Sequence, residues 1–354
     1  MSLAKRIESF ETLGLFLSQF SESGFEERNL PLNADFKEPF EMLINRAQET
    51  NPWFDKNQIY FSLENWSSAL KKSSLDRWLE PYDMEDNPAA LRTIAVIMAG
   101  NIPLVGFHDF LSVLVSGHKI QIKLSSNDCH FIPMIARFLK TQNPDFKDKI
   151  EIVDKELSEY DAVIATGSDN TSRYFDYYFG KYPNIIRHNR NSVAVLSGTE
   201  SSEELVNLGD DIFQYFGLGC RNVSKIYVPR DYDFDKLFKA LYDFKDLTNN
   251  QRYMNNFDYN KAVFLMSQSK NMLENGFVLL KEDRNFSSPI ATIFYEFYDS
   301  KEELQEHLNQ NKDRIQCVVG GETSPYINFG LAQKPGLEDY ADGIDTINFL
   351  KNLS

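Results

Sequence analysis

From Leu91 onward, short aliphatic and β-branched runs alternate with amphipathic stretches, and that alternation leaves few folds open to the chain. The first runs are "RTIAVIMAG", "HKIQIKLS" and "DAVIATGS". Helical spacing follows each, over about Leu104 to Ser116, Asp128 to Leu139 and Thr171 to Gly180. Strand, helix, strand in this order predicts a parallel, doubly wound α/β sheet. A second set has a different rhythm: "NSVAVLSG", a helix over about Ser202 to Phe216, "SKIYVP", a helix near Phe234 to Tyr242, then "FVLLKED", "ATIFYEFY" and "IQCVVGG". It reads as a second α/β lobe. Residues before Leu91 are helical instead, with apolar spacing such as Phe10, Leu13, Phe16, Leu17 and Phe20.

A chain of 354 residues exceeds what one hydrophobic core usually supports. The expected organisation is a helical segment over 1–90, a nucleotide-binding domain over 91–188 and a domain carrying Cys220 over 189–324. The Gly- and Asp-rich tail, 325–354, is expected to return to the nucleotide-binding domain. A net charge of −15 argues against a nucleic-acid partner, which needs clustered Lys and Arg. It leaves room for a phosphorylated cofactor in a local pocket. Three cysteines cannot make a disulfide framework, which points to a reducing, cytoplasmic setting. No apolar run approaches the roughly 20 residues of a membrane span, and Glu8 and Glu11 interrupt any secretory apolar core.

Four places carry candidate chemistry. Cys220 follows Gly217 and Gly219 at the corner before "SKIYVP"; it is either a small buried hydrophobe or a nucleophile presented on a turn. Arg221 beside it can favour a thiolate. Cys129 and Cys317 read as core. Asn101 follows the strand in "IMAGNIPL", as a cap or as an amide at a sheet's carboxyl edge, where α/β folds bind ligands. Lys123, Ser125 and Ser126 end "IQIKLSSND", and Gly167 and Ser168 close "IATGS" ahead of a helix, where backbone N–H groups attract phosphate. GxGxxG, GxSxG and the P-loop are all missing from the sequence, and the five histidines lack metal-ligand spacing, so no metal is expected.

The order of these pieces, together with "NPWF", "AGNIPLVGFHDFL", "KLSSND", "ATGSDNTSRYFDYYF", "RHNRNSVAVLSG", "FGLGCRNVSKIYVP", "NNFDYNKA" and "FGLAQKPGLEDYADGIDT", resembles the aldehyde dehydrogenase superfamily. More closely it resembles LuxC-type acyl-CoA reductases, from about Asn51 to the C-terminus. The resemblance implies that Cys220 is the nucleophile that becomes a thioester, with Asn101 and the Cys220 N–H as oxyanion donors. It implies that Lys123 and Ser125 contact the adenosine ribose and that Gly167 and Ser168 contact the pyrophosphate. Relatives that select NAD often carry an acidic residue where this chain has Ser126, so NADPH is the expected cofactor, with NADH the alternative. The superfamily's water-activating Glu falls here at about Ile186, and the Glu that grips the nicotinamide ribose falls near Asn285.

The implied activity is reduction of a fatty acyl thioester, borne by coenzyme A or a carrier protein, to an aldehyde. An acyl-activating partner protein and a homodimer are the expected company. Competing expectations are an acyltransferase or thioesterase that uses Cys220 without hydride, and a non-catalytic acyl- or cofactor-binding subunit. Phe257, Tyr259 and Phe264 are candidate walls for the acyl chain.

Overall fold

A computed structural model describes the chain apart from residues 22–29, 31, 87, 89, 168, 268–270, 322–324 and 354, and apart from the side chains of 169 and 170. The chain divides into two compact units, Met1–His188 with Gly336–Ser354, and Asn189–Pro335.

The first unit opens with four helices: α1 (Leu3–Leu17), α2 (Asn33–Thr50), α3 (Lys56–Ala69) and α4 (Lys72–Leu79). Ser2 and Asp55 cap α1 and α3 by accepting the N–H groups of Lys5 and Gln58. Phe10, Leu13, Phe16, Leu17 and Phe20, spaced for one helical face, are all fully buried or nearly so. Phe16 packs on Phe40 of α2, with ring centroids 5.5 Å apart, and on Phe138, with centroids 4.7 Å apart.

A five-stranded sheet follows, made of β1 (Thr93–Ile97), β2 (Lys119–Lys123), β3 (Ile150–Ile152), β4 (Ala162–Thr166) and β5 (Asn184–Arg187). Its order is β3-β2-β1-β4-β5, with every pair parallel. Helices α5 (Phe107–Val115), α6 (Phe131–Gln142) and α7 (Asp169–Phe179) make the crossovers. The order reverses between β1 and β4, so their carboxyl ends flank the switch point at which such sheets take ligands.

The second unit holds β6 (Asn191–Val195), α8 (Ser202–Phe213), β7 (Val223–Pro229), α9 (Phe234–Leu241), α10 (Gln251–Met266), β8 (Met272–Glu274), β9 (Leu279–Glu282), β10 (Thr292–Tyr298), α11 (Lys301–Gln310), β11 (Ile315–Gly320) and β12 (Ile327–Asn328). Its seven-stranded sheet runs β12-β11-β6-β7-β10-β9-β8, parallel except for the β8–β9 pair. A capping box starts α8: the Ser201 hydroxyl accepts from the Glu204 N–H, and the Glu204 carboxylate accepts from the Ser201 N–H.

Three helices differ from their expected bounds, each for a local reason. The first crossover helix starts at Phe107, not Leu104, because Leu104 takes a left-handed φ of 59°. The second starts at Phe131, because the Asp128 carboxylate turns away to accept the Leu104 N–H. The expected helix over Ser202 to Phe216 stops at Phe213, since Tyr215 and Phe216 are left-handed. The tail also differs: residues 325–335 stay with the second unit, and the chain returns at Gly336 to end in α12 (Thr346–Lys351). Asp211 of α8 accounts for the late return, because its carboxylate accepts the N–H groups of Gly330 (2.7 Å) and Ala332 (2.8 Å).

Candidate functional site

In the second unit the chain leaves α8 through Tyr215 (φ 53°), Phe216 (φ 57°) and Gly217 (φ 77°), three successive left-handed residues. Such conformations cost an L residue about 1–2 kcal/mol each, so something must hold this turn. Asn222, almost fully buried, does so. Its side-chain amide N–H groups donate to the carbonyls of Asp211 (3.1 Å), Ile212 (3.2 Å) and Gln214 (2.8 Å), and its Oδ1 accepts the Gly219 N–H at 2.8 Å. The loop between Gly219 and Asn222 is thereby fastened to the end of α8, and it carries Cys220 exposed to solvent.

The Cys220 carbonyl is fixed from the other side by Ser192 of β6, whose hydroxyl donates to it at 3.0 Å. Ser192 also accepts the Cys317 N–H at 3.2 Å and lies 3.1 Å from the Cys317 sulfur. With the hydroxyl proton given to Cys220, the Cys317 thiol is the donor in that last contact. The Arg221 Nε donates to the Ala332 carbonyl at 2.6 Å. The backbone leaves Cys220 outside the interior, while Cys317 sits half-buried on β11.

In the first unit three buried or nearly buried side chains from three elements hold the loop after β1. Asn51 donates to the Gly100 carbonyl (3.2 Å), Ser62 of α3 donates to the Pro103 carbonyl (3.0 Å), and Asp128 accepts the Leu104 N–H (2.9 Å). A Cβ on Gly100 would lie 2.6 Å from the Ser125 hydroxyl and 3.0 Å from the Asp128 nitrogen, so only glycine lets the β1 and β2 loops close together. Asn101, next in sequence, is exposed. Asp128 is 6% exposed, and desolvation pushes its carboxyl up to about 6.

The carboxyl ends of β1, β2 and β4 therefore bear Asn101, Lys123 with Ser125 and Ser126, and Gly167. The Lys123 ammonium donates to the carbonyls of Asp154 and Lys155, the latter at 2.8 Å, which uses two of its three protons. Ser125 Oγ accepts the Asn127 N–H at 3.2 Å, and Ser126 is exposed on the same turn. A Cβ on Gly167 would meet the Phe175 and Thr171 side chains of α7 at 2.9 and 3.0 Å. Ser168 lies outside the described residues. An ammonium with a spare proton, two hydroxyls and a glycine backbone at a topological switch point suit a ribose and phosphate.

Elsewhere the expectations fare unevenly. Ile186 is a buried residue of β5, and Asn285 donates through its N–H and its side-chain amide to Asp283. Cys129 lies in the loop before α6 rather than inside a helix. Tyr259 is 68% exposed, which does not suit a tunnel wall, whereas Phe257 is buried. Asn222, Asp211, Asn51, Ser62 and Asp128 were not singled out from sequence. Asn222 was the most accessible of them, as a polar residue directly before the apolar run of β7. Among the described residues no cluster of three or more His, Cys, Asp or Glu could hold a metal ion, and no helix is long and apolar enough to cross a membrane.

Comparison with known proteins places the chain. A family model described as "Acyl-CoA reductase (LuxC)" matches residues 15–241. Long-chain acyl-protein thioester reductase 2 from Photobacterium leiognathi is 24% identical over 231 residues, which cover 60% of this chain and 47% of that protein. The match thus spans about half the length of that curated relative. Solved structures share the fold. Aldehyde dehydrogenase 21 from Physcomitrella patens, in complex with the reaction product succinate, gives a TM-score of 0.62 at 11% identity, covering 92% of this chain and 74% of that one. An NAD+ complex of an aldehyde dehydrogenase from Bacillus cereus gives 0.60 at 14% identity, covering 92% and 73%. With its family model matched over more than half its length and an aldehyde-dehydrogenase-like α/β fold, the chain belongs to the LuxC acyl-CoA reductase family.

Proposed function

We propose that the protein reduces a fatty acyl thioester, carried by coenzyme A or by a protein, to the aldehyde. The observation that carries this reading is Cys220, a solvent-exposed thiol on a loop that Asn222 and Ser192 hold by its backbone. A nucleophile that must meet a bulky thioester needs exposure, and one that must meet it in a single geometry needs a pinned backbone.

In this reading the Cys220 thiolate adds to the thioester carbonyl, a new C–S bond forms as the original C–S bond breaks, and the departing thiolate takes a proton from solvent. Asn101 and the Cys220 N–H donate to the oxyanion that develops. Lys123, Ser125, Ser126, Gly167 and Ser168 would hold a reduced nicotinamide dinucleotide, which when bound would supply the hydride that adds to the carbonyl carbon of the Cys220 thioester. The exposed Ser126 hydroxyl, neutral where an acidic residue would repel a 2′-phosphate, favours NADPH over NADH. When the resulting tetrahedral adduct collapses, its C–O double bond reforms, its C–S bond breaks and Cys220 is a thiolate again. The superfamily's water-activating carboxylate falls at about the apolar Ile186, so this reading expects slow hydrolysis of the thioester. The same reading expects a cytoplasmic homodimer supplied by an acyl-activating partner.

The test is a panel of acyl-CoA, acyl-carrier protein and free aldehyde, each with NADPH and NADH, followed by nicotinamide absorbance. Mass spectrometry of the protein after acyl-CoA alone reports the thioester. Cys220→Ala should remove both signals, and Asn101→Ala should slow turnover by about 100- to 1,000-fold. Thioester formation with no nicotinamide consumption in any arm would reassign the protein to acyl transfer, and turnover by the Cys220→Ala protein would end the proposal.

A further inference from the structure

We infer that Leu331 is an apolar contact for the chain that Cys220 receives, and so helps to set which acyl groups react there. The inference deepens the thioester reading above and rests on it.

Five consecutive residues, Phe329 to Gln333, run against the usual sorting by polarity. Phe329, Gly330, Ala332 and the polar Gln333 are buried, while Leu331 in their midst is 46% exposed. Exposing a leucine while burying a glutamine beside it forgoes hydrophobic stabilisation, so something must fix the turn in this register. Asp211 does so. Its buried carboxylate accepts the N–H groups of Gly330 and Ala332, one on each side of Leu331. The Leu331 N–H donates to the Asn328 carbonyl at 3.2 Å, and the Leu331 carbonyl accepts the Lys334 N–H at 3.1 Å. With both flanking amides bound to one carboxylate, the turn cannot roll Leu331 inward.

The same aspartate holds the corner that carries the thiol. Its carbonyl accepts the Asn222 side-chain amide at 3.1 Å. Arg221, directly after Cys220, donates to the carbonyl of Ala332, directly after Leu331. Main chain and side chain of Asp211 thus tie the Cys220 loop and the Leu331 turn to one point at the end of α8. Cys220 and Leu331 are both open to solvent. A thiol and an apolar side chain held in this way suit an acyl group whose carbonyl must reach the sulfur while its methylenes leave water.

The experiment follows reaction of Cys220 in the folded full chain by peptide mass spectrometry. The reagents are iodoacetamide and N-hexyliodoacetamide, with acetyl-CoA and octanoyl-CoA alongside. Leu331→Ala should slow N-hexyliodoacetamide and octanoyl-CoA by about 10-fold, the order expected for losing one leucine's apolar contact, while iodoacetamide reacts as before. Leu331→Met, which keeps the volume, should retain the preference for the longer reagents. Leu265→Ala, on the surface of α10 where Leu265 is 59% exposed, should alter none of the rates. An equal fall for iodoacetamide and N-hexyliodoacetamide in Leu331→Ala would mark a merely structural role and overturn the inference, as would no change in either. Acylation by neither CoA ester, with the alkylation pattern as expected, would end the thioester reading and leave the Leu331 contact standing.

Discussion

Asn222 shows what a single residue does here. Its four hydrogen bonds, all from a nearly buried side chain, close the corner that presents Cys220 and offset the strain stored at Tyr215 and Phe216. Asn222→Ala leaves the carbonyls of Asp211, Ile212 and Gln214 short of donors in a buried setting. At about 1–3 kcal/mol for a buried group left unsatisfied, and with some bonds shared, the loss of stability should be roughly 2–4 kcal/mol. Denaturant unfolding measures it. The same variant should also raise the rate at which iodoacetamide alkylates Cys220 in the folded protein, because the loop no longer holds one geometry. A variant as stable as the parent, with unchanged alkylation, would show that the corner holds itself.

At the scale of elements, two loops are fixed by carboxylates that burial has made weak acids. Desolvation pushes Asp128 and Asp211 each up to about 6, even though each accepts backbone N–H groups. A carboxyl raised above its unfolded value of about 3.9 favours the folded state most when protonated. Its contribution is thus complete below about pH 4 and fades as pH rises through about 6. For Asp128 the change amounts to about 3 kcal/mol across that window, at 1.36 kcal/mol per pKa unit. Asp128→Asn should therefore gain stability relative to the parent as pH rises from 4 to 7, read from unfolding curves at each pH. A pH-independent difference would mean the carboxyl titrates normally.

The whole first unit is closed by its returning tail. Arg187 of β5 forms a buried, two-pronged pair with Asp109 of α5 and reaches Thr346 of α12 at 3.2 Å. Trp78 of α4 donates to the Tyr340 hydroxyl at 2.8 Å, and His108 meets the Leu337 carbonyl at 2.9 Å. Removing one partner of a buried pair strands the other charge, so Arg187→Met should cost about 3–5 kcal/mol. Adding Asp109→Leu should recover much of that loss, and an unchanged Tm in the single variant would contradict the assignment. His118 is held neutral: Arg92 donates to its Nδ1, so Nε2 carries the proton to the Leu350 carbonyl. Burial lowers its pKa, hence its share of stability holds above about 6.5 and is lost as pH falls below it, opposite in sign to Asp128.

The alternation of apolar runs and amphipathic helices was enough to predict one parallel, doubly wound sheet, a second α/β lobe and a helical start, because strand and helix periods are local properties of a chain. The motifs around Asn101, Lys123 and Cys220 were equally legible, since each is a contiguous string. What could not be read was which side chains hold those strings in place. Asn222 reaches back to residues 211–214, Asp128 reaches across to 104, and Asp211 reaches forward to 330 and 332. A hydrogen bond between residues far apart in sequence leaves no period and no motif; only folding brings donor and acceptor within hydrogen-bond distance. The exposure of the Cys220 thiol is of the same kind, decided by three left-handed residues whose strain the surrounding packing must bear. Composition and order named the parts, and tertiary contacts alone determined how each part is held.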